Sequence, residues 1–528
     1  MIFDKKNLIA SEKHLAPVYK FYFNGQYREA LSALDSINHK FPNDPILFAV
    51  GGDCYVSLKE YDLAISCYEE ALKLSPKNIK IYCKKIEVLG LCGKIEESLE
   101  LCCEAIKIAP DNSDLYLFQG NIFQELGHPD DAIESYNKVL ELKPNSADAY
   151  CNKANSLENI GKFSEAIICA KKAIQIKPDF SLAFFNLGIS AMQLRLFDLS
   201  IESLNKAIEL QPNLAKYEHA KATLLLLFGD FKNGWSLYES RWKLDKLFSP
   251  KLETNLPVWV GDKNSKLLVW GEQGVGDQIM YSALIPDLSE ICSDISVQVD
   301  PRLVSLLNRS MGEKCTFYSD NKPLPVKYDQ HISMGSLCKH LRADEKNFES
   351  SRYGFLKDDK ALTADIKKDL SALVPKNSKL CGISWRSGNL KFGKRKTIKL
   401  KNFINSLALK GYTFVNLQYG NTKDEIKEVK DELNIHVVSY DKVDNFNNLD
   451  GLTSLIQCCD IVISVDNITC QLAGALGKET HMLLAYGSNW MWMVERSDSP
   501  WYDSIKIYRQ GADNDWLSLF KKLKHNLD

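Results

Sequence analysis

The sequence lacks the features that mark several classes of protein. Its 15 cysteines include no Cys-x-x-Cys pair, and a disulfide framework belongs to small secreted domains rather than to a chain of 528 residues. Apolar runs such as Leu224–Phe228 fall far short of the roughly 18–20 residues that a membrane-spanning helix needs. The segment Met1–Lys6 leads into mixed-charge sequence without an apolar core, so we expect no signal peptide. We therefore expect a cytoplasmic protein with reduced cysteines, no metal centre and no transmembrane segment.

The sequence also has no large excess of positive or negative charge. The chain has 66 Lys and Arg against 68 Asp and Glu, for a net charge of −2. This balance excludes a global attraction to nucleic acid or to an anionic membrane, although a local basic site stays open. The length exceeds what one hydrophobic core supports, so we expect two or more globular domains and no nucleic-acid partner.

A period of 34 residues runs through the first half of the chain. Four kinds of position keep the same phase: a proline, the residue at a helix–helix turn, a small residue five positions later, and an aromatic residue in the first helix of each pair. The prolines are Pro42, Pro76, Pro110, Pro144, Pro178 and Pro212; the turn residues are Gly25, Lys59, Gly93, Gly127, Gly161, Arg195 and Gly229; the small residues are Ala30, Ala64, Ser98, Ala132, Ala166 and Ser200; and the aromatic residues are Phe48, Tyr82, Tyr116, Tyr150 and Phe184. Thirty-four residues is the period of the tetratricopeptide repeat.

Each residue class has a physical role in such a repeat. Glycine accepts a positive φ where the chain reverses, a small residue lets paired helices approach closely, and proline ends the second helix. One helix pair cannot bury its apolar face alone, so neighbouring pairs stack into a solenoid with a concave groove. We predict this solenoid over residues 12–246, with an irregular last repeat.

Solenoids of this kind bind peptides or proteins or mediate self-association. Partner binding is therefore one hypothesis for the groove, and the alternative is that the repeats only hold the second half of the chain. Four asparagines on the repeats could clamp a peptide backbone: Asn121, Asn152, Asn155 and Asn186.

Beyond the repeats the pattern changes to short apolar runs that alternate with amphipathic segments. The predicted strands are Lys266–Gly271, Ile295–Val299, Gln330–Ser333, Leu380–Trp385, Thr413–Gln418, Ile435–Ser439, Ile461–Val465 and His481–Ala485. Such alternation predicts mainly parallel α/β sheets with helices on both faces. A charged stretch, Lys357–Lys368, separates two series, so we predict one Rossmann-like lobe over 264–356 and another over 379–528.

The loop Gly271–Asp277 (G-E-Q-G-V-G-D) follows the first of these strands and opens a helix predicted from Asp277. Glycines let a backbone approach a ligand closely, and a helix N-terminus favours anions. The spacing differs from the G-x-G-x-x-G of dinucleotide sites, which argues against a dehydrogenase. The residue type of Asp277 also fits a helix N-cap, and that alternative stays open.

Motifs in the second half resemble those of a known group. They are W-G-E-Q-G-V-G-D-Q-I around Gly271, Gly234-Trp235 with Glu239–Trp242, Gly382–Arg386, Ile463–Asp466 with Leu472–Gly477, and Asp498–Tyr502. In this order they resemble bacterial tetratricopeptide-repeat proteins whose C-terminal half is similar to glycosyltransferase family 9, the heptosyltransferases. The resemblance covers roughly residues 230–510. It implies two Rossmann-like lobes of the GT-B type and inverting hexosyl or heptosyl transfer from a nucleotide sugar, with no cofactor or obligatory metal.

The resemblance also assigns roles to residues. Asp277 matches the aspartate that deprotonates the acceptor hydroxyl, with Glu272 as the next candidate. Asp466 matches the aspartate of a loop that holds the donor's phosphates, where the backbone amides from Asn467 to Thr469 would bind them. Residues expected on the donor side are Gly274, Gly276, Arg386, Arg395, Gln418, Asp466, Asn467, Ile468, Thr469 and Gln471. For Arg395, a solvated basic loop is an equal alternative.

The chain departs from the family pattern at several donor positions. Asn467, Ile468 and Gln471 stand where the family has Thr, Ser and His, and Met491 replaces an arginine between two tryptophans. Glutamine cannot carry a positive charge. Two hypotheses follow. One is a glycosyltransferase whose repeats present a protein, peptide or glycan acceptor, an architecture similar to that of protein O-GlcNAc transferases. The other is a non-catalytic scaffold with a degenerate sugar-nucleotide-binding fold.

Overall fold

The computed structural model describes residues 12–244, 250–263, 265–321, 327–351, 353–388, 393–407, 409–487, 489–511 and 515–527. The predicted domain boundaries at 246, 264 and 528 lie outside the described residues. By internal contacts the chain divides into two compact units, Met1–Ala191 and Met192–Asp528. The domain limits predicted from the sequence stay predictions.

The first unit is built from paired α-helices and confirms the tetratricopeptide repeats. Its helices are α1 (Glu12–Phe23), α2 (Tyr27–Asn38), α3 (Pro45–Ser57), α4 (Tyr61–Leu74), α5 (Ile79–Leu91), α6 (Ile95–Ile108), α7 (Ser113–Glu125), α8 (Pro129–Leu142), α9 (Ala147–Asn159) and α10 (Phe163–Ile176), while α11 (Ser181–Gln193) crosses the division. The predicted small residues Ala30, Ala64 and Ala132 are fully buried, as close helix packing requires.

The turns between paired helices carry the predicted left-handed backbone. Five of them use glycine, with φ between 75° at Gly25 and 85° at Gly229. Two use larger residues in the same conformation: Lys59 at φ 61° and Arg195 at φ 59°. A side chain at such an angle is strained, so each of these two residues needs a compensating contact or a function.

The second unit starts with the last repeat helices and continues into parallel sheets. Its helices are α12 (Phe197–Leu210), α13 (Ala215–Leu227), α14 (Phe231–Tyr238), α15 (Val275–Ser282), α16 (Ile285–Ser289), α17 (Val304–Met311), α18 (Met334–Leu341), α19 (Lys360–Leu373), α20 (Leu400–Leu407), α21 (Lys423–Leu433), α22 (Leu449–Cys458), α23 (Ile468–Ala475) and α24 (Leu517–Leu527). Its strands are β1 (Lys266–Trp270), β2 (Asp294–Val299), β3 (Thr316–Ser319), β4 (Gln330–Ser333), β5 (Lys379–Ser384), β6 (Tyr412–Asn416), β7 (Val437–Val438), β8 (Ile461–Val465), β9 (Thr480–Leu484) and β10 (Ile505–Arg509).

Two sheets result, and their strand orders locate the sites where ligands bind in such folds. The first sheet has the order β3-β2-β1-β4 and the second the order β10-β9-β8-β5-β6-β7, with all pairs parallel. In each, the chain first extends the sheet on one side and then crosses to the other, between β1 and β4 and between β5 and β8. Ligands in doubly wound sheets bind at the carboxyl ends of strands beside this switch point.

The predicted α/β class is confirmed, and the errors are local. Two strands were missed, β3 and β10, because neither is a continuous apolar run: β3 reads T-F-Y-S and β10 reads I-K-I-Y-R. The first helix after β1 begins at Val275 rather than at Asp277, because Gly274 is its N-cap. Within the described ranges, no helix combines the length and apolar content needed to cross a bilayer.

Candidate functional site

The two loops predicted to carry the chemistry meet in the second unit. Helix α15 follows β1 and helix α23 follows β8, so each N-terminus lies at the carboxyl end of a strand next to a switch point. The helices touch near these ends: a Cβ at Gly276 would lie 3.6 Å from Cγ of Gln471. Asp277 and Asp466 thus face the same region, where two helix N-termini favour negative charge.

Asp277 lies in the first turn of α15. Its Oδ2 accepts a hydrogen bond from the backbone N–H of Gly274 at 3.1 Å, so the side chain supports the helix start from inside the helix rather than as the N-cap. Burial raises the pKa of Asp277 to about 6; Asp466 and Glu272 add to this, whereas the Gly274 N–H and Lys396 oppose it. A carboxyl with such a pKa is suited to exchange a proton near neutral pH.

Asp466 is buried and held from two sides. One oxygen forms an ion pair with the ammonium of Lys396, and the other accepts a hydrogen bond from the indole N–H of Trp492 at 2.9 Å. Lys396 ends the 3₁₀ turn Gly393–Lys396, on which Arg395 lies half-buried. An ammonium is therefore in place beside the predicted phosphate loop.

Asn467 caps α23 and ties two loops together. Its Oδ1 accepts the backbone N–H groups of Thr469 at 3.0 Å and Cys470 at 3.4 Å. Its Nδ2 donates to the hydroxyl of Ser384 at 2.7 Å and to the carbonyl of Arg386 at 3.0 Å. The amide predicted to bind phosphate at Thr469 is thus engaged within the loop, and a phosphate would have to displace the Asn467 side chain. Ile468 occupies the first position of the helix.

Two further donor-side predictions, Gln418 and Arg386, have structural partners. The Oε1 of Gln418 accepts the backbone N–H groups of Trp385 and Arg386, both at 2.9 Å, so Gln418 orders the loop after β5. The Arg386 guanidinium donates to Glu425 at 2.7 Å and to the carbonyl of Asn421 at 2.6 Å. The structure therefore directs this arginine towards Glu425 rather than towards Asp466.

Glu272 is engaged in a buried ion pair. Its two oxygens accept from Nε and Nη2 of Arg241, each at 2.8 Å, and Oε1 also accepts the backbone N–H of Gly335 at 2.8 Å. Glu272 is 1% exposed and Arg241 4%. Because this carboxylate is bound by a guanidinium and an amide, we assign it to holding the glycine loop and not to proton transfer.

The two departures from the family pattern contact each other. The Nε2 of Gln471 lies 3.3 Å from the sulfur of Met491, and its Oε1 accepts a hydrogen bond from the hydroxyl of Tyr502 at 2.7 Å. All three side chains are buried. The contact joins two neutral side chains and leaves the glutamine amide with partners on both its nitrogen and its oxygen.

Four residues of this site were not predicted: Lys396, Trp492, Tyr502 and Arg241. Arg241 and Tyr502 stood inside motifs quoted for the resemblance, and Trp492 is one of the two tryptophans beside Met491. The partners of all three lie 26 to 31 residues away in sequence. Lys396 lay in the basic triplet Lys394-Arg395-Lys396, and only the fold shows which residue of the triplet meets Asp466. Among the residues that the structure describes, no group of three or more His, Cys, Asp or Glu forms a metal-binding arrangement.

On the repeats, most of the predicted backbone clamps are bound within the solenoid. Asn121 accepts from the hydroxyl of Tyr136 and from Nδ2 of Asn152, both at 2.9 Å. Asn186 is buried and donates to the carbonyl of Cys151 at 3.0 Å. Asn155 is exposed and bonded by its neighbour Asn159. Asn155 is therefore the most accessible of the four.

Comparison with known proteins places the repeats in a family. The family model described as a TPR repeat matches residues 52–85 and 120–161, and two models of the tetratricopeptide repeat match 147–180 and 182–214. Protein FlbA of Caulobacter vibrioides is 29% identical over 320 residues, which cover 56% of this chain and 52% of FlbA. This chain thus spans about half the length of that relative.

Solved structures with some likeness to this chain include other repeat proteins. MamA is 24% identical, with 33% of this chain and 95% of MamA covered and a TM-score of 0.29. YrrB, described as a TPR protein with an unusual peptide-binding site, is 24% identical, with 36% of this chain and 97% of YrrB covered and a TM-score of 0.30. A tetratricopeptide-repeat protein from Parabacteroides merdae is 16% identical, with 44% and 93% covered and a TM-score of 0.39.

Proposed function

We propose that this chain is a metal-independent, inverting glycosyltransferase of the GT-B type, which moves a sugar from a nucleotide sugar to an acceptor hydroxyl. The observation that carries the proposal is the pairing of Asp277, whose pKa burial raises to about 6, with the Asp466–Lys396 cluster at the start of α23. Asp277 can take a proton, and Lys396 of the cluster can bind a negatively charged group. The two strand orders, with their switch points behind these residues, support the same proposal.

In the proposed reaction, Asp277 accepts the proton of the acceptor hydroxyl as its oxygen attacks the anomeric carbon of the donor. The bond between that carbon and the diphosphate oxygen breaks, and the nucleoside diphosphate leaves with the electron pair. Lys396 and the N-terminus of α23 stabilise the charge that develops on the diphosphate. A carboxylate in such a position contributes typically about 10²–10⁴-fold to the rate.

The raised pKa of Asp277 gives this mechanism a pH signature. Asp277 must be ionised to accept a proton, so we expect kcat/KM to fall about tenfold per pH unit below pH 6. Stability should change in the opposite sense. The folded state binds a proton at Asp277 that the unfolded state, with the ordinary pKa of 3.8, releases. This contribution to stability is full below pH 3.8 and is lost as the pH rises through 6. An acid limb near pH 4 would contradict the assignment.

The tetratricopeptide repeats support a binding role for the first unit. An exposed concave surface formed by stacked helix pairs suits a protein, a peptide or a glycan acceptor. We propose that the repeats recruit this acceptor, or another copy of the chain, for the transferase.

A second candidate function rests on the cations of the site. Lys396 is already paired with Asp466 and Arg386 with Glu425, and the Thr469 amide is bound by Asn467. If these contacts persist in solution, the second unit is a non-catalytic fold and the repeats make the protein a scaffold for partner binding.

Nucleotide binding separates the two candidates. A panel of nucleoside diphosphates and their sugars should include one that stabilises the second unit by about 2.7 kcal/mol at one hundred times its dissociation constant. All nine tryptophans lie between Trp235 and Trp516, so intrinsic fluorescence follows this unit during thermal unfolding.

Matched lysine variants test where such a ligand binds. Lys396→Ala should weaken binding at least about tenfold, because it removes a charged hydrogen-bond donor from the diphosphate. Lys401→Ala, which removes a surface lysine paired with Glu432, should leave binding unchanged. If no nucleotide or nucleotide sugar shifts the unfolding temperature at millimolar concentration, the scaffold function replaces the transferase.

A further inference from the structure

The tryptophan segment, residues 489–495, supports the Asp466 site from behind. Trp492 donates its indole N–H to Asp466 at 2.9 Å, and Met491 receives the amide of Gln471 at 3.3 Å. The backbone of this segment is unusual, with positive φ at Met493 (52°) and Glu495 (61°). Backbone strain of this kind persists only where surrounding contacts impose it.

Those contacts come from the last repeat helices. The ring of Trp490 packs on Trp235 of α14 with centroids 5.1 Å apart. The backbone N–H of Val494 donates to the carbonyl of Leu227, the last residue of α13, at 3.2 Å. The strained loop of the site is therefore braced by repeat helices and not only by the sheet that bears Asp466.

The turn between α11 and α12 contacts Tyr486, three residues before this segment, through a residue that breaks the repeat pattern. Arg195 occupies the turn position that five other repeats give to glycine, at φ 59°. Its guanidinium lies 4.4 Å from the ring centroid of Tyr486 and donates to the Tyr486 carbonyl at 3.4 Å. The Tyr486 hydroxyl donates in return to the carbonyl of Leu194 at 3.4 Å. The contact with Tyr486 gives a physical reason to keep an arginine where glycine would be less strained.

We infer that Arg195 is a positioning residue of the Asp466 site, through which the turn between α11 and α12 sets the conformation of the tryptophan segment. Arg195 holds Tyr486, which precedes the segment in the chain. Within the segment, Trp492 contacts Asp466 and Met491 contacts Gln471, so a shift of the segment would move both of these side chains. The inference deepens the proposed function, because this site is the proposed donor site.

The test uses the full chain and three variants. Arg195→Gly removes the contact and installs the residue that the other turns use, so the fold should be retained, as circular dichroism would show. Arg195→Lys keeps the charge but loses the planar donor. Lys59→Gly makes the same backbone change at the equivalent turn of another repeat, where φ is 61°.

We expect Arg195→Gly to speed backbone hydrogen exchange in residues 489–495 about tenfold and to expose the tryptophans to acrylamide quenching. Arg195→Lys should restore part of this protection, and Lys59→Gly should leave it at the wild-type level. Tyr486→Leu, which removes the ring from the other side, should reproduce the effect of Arg195→Gly. Equal protection of residues 489–495 in Arg195→Gly and Lys59→Gly would overturn the inference.

The test of Arg195 can succeed or fail independently of the test of the proposed function. Hydrogen exchange and quenching need no nucleotide, so they report the coupling even if no nucleotide sugar binds. If a nucleotide does bind, Arg195→Gly should weaken its binding about tenfold while Lys59→Gly does not, and binding that is indifferent to Arg195 would count against the positioning role.

Discussion

Replacing Asp277 with asparagine is expected to reduce turnover by at least about 10²-fold while the protein stays folded. Asparagine keeps the size of the side chain and an oxygen that can accept the Gly274 N–H, which Asp277 now accepts at 3.1 Å. What it loses is the ability to take a proton. The measurement is kcat and KM for sugar transfer, together with the affinity for the nucleotide sugar, which should change little. The unfolding temperature at neutral pH should not fall, because a neutral amide does not carry the cost of burying an ionised carboxylate.

A matched variant separates the loss of a base from the loss of a charge. Asp424 also lies in the first turn of a helix, α21, but it is exposed and outside the site. Asp424→Asn changes the net charge equally and should leave turnover unaltered. Wild-type turnover in Asp277→Asn would remove the catalytic assignment of Asp277 and show that another group serves as the base, with Glu272, which Arg241 and Gly335 bind, as the next candidate.

The sequence predicts those parts of the fold that depend on local residue patterns. The repeat prediction depends on residue classes that keep a 34-residue phase, and their cause lies within one or two turns of helix, as at Gly25 or Ala30. The strands of the second unit are continuous apolar runs because both faces of a parallel sheet are covered. Neither β3, with four residues, nor β10, in which apolar and charged residues alternate, forms such a continuous apolar run.

The sequence predicts the candidate site only in part, because the contacts of the site join segments that are distant in the chain. The resemblance pointed to Asp277 and Asp466, but no spacing shows that α15 and α23 meet. Lys396 and Asp466 are 70 residues apart, and a basic triplet does not reveal which residue is paired. Arg386 was expected at the diphosphate from the resemblance and from its charge, yet Glu425, which binds it, was not recognised. Long-range side-chain pairing of this kind depends on packing rather than on local sequence.

The buried ion pair of Arg241 and Glu272 should show the largest stability effect of a single substitution. Arg241→Met would remove the guanidinium and leave a carboxylate that is 1% exposed without its partner. Breaking a buried pair in this way costs about 3–5 kcal/mol, because the remaining charge is neither hydrated nor paired. The hydroxyl of Ser336, which Arg241 contacts at 2.8 Å, would lose a donor as well.

Urea unfolding followed by tryptophan fluorescence measures this loss in the second unit alone, since all nine tryptophans lie there. Arg302→Met is the matched control. Arg302 also binds a carboxylate through two nitrogens, Nε and Nη2 to Asp300, each at 2.9 Å, but its side chain is 26% exposed. A pair that water can reach contributes much less than a buried one, so Arg302→Met should cost far less stability than Arg241→Met.

The double variant Arg241→Met/Glu272→Met completes the test. Replacing both members of a buried pair by apolar side chains is often nearly neutral, so the double variant should be more stable than Arg241→Met alone. Part of the loss should remain, because the Gly335 N–H that now donates to Glu272 at 2.8 Å would be left without its acceptor. If Arg241→Met cost no more than Arg302→Met, Glu272 would not depend on the guanidinium. Glu272 would then again be the second candidate for the catalytic base.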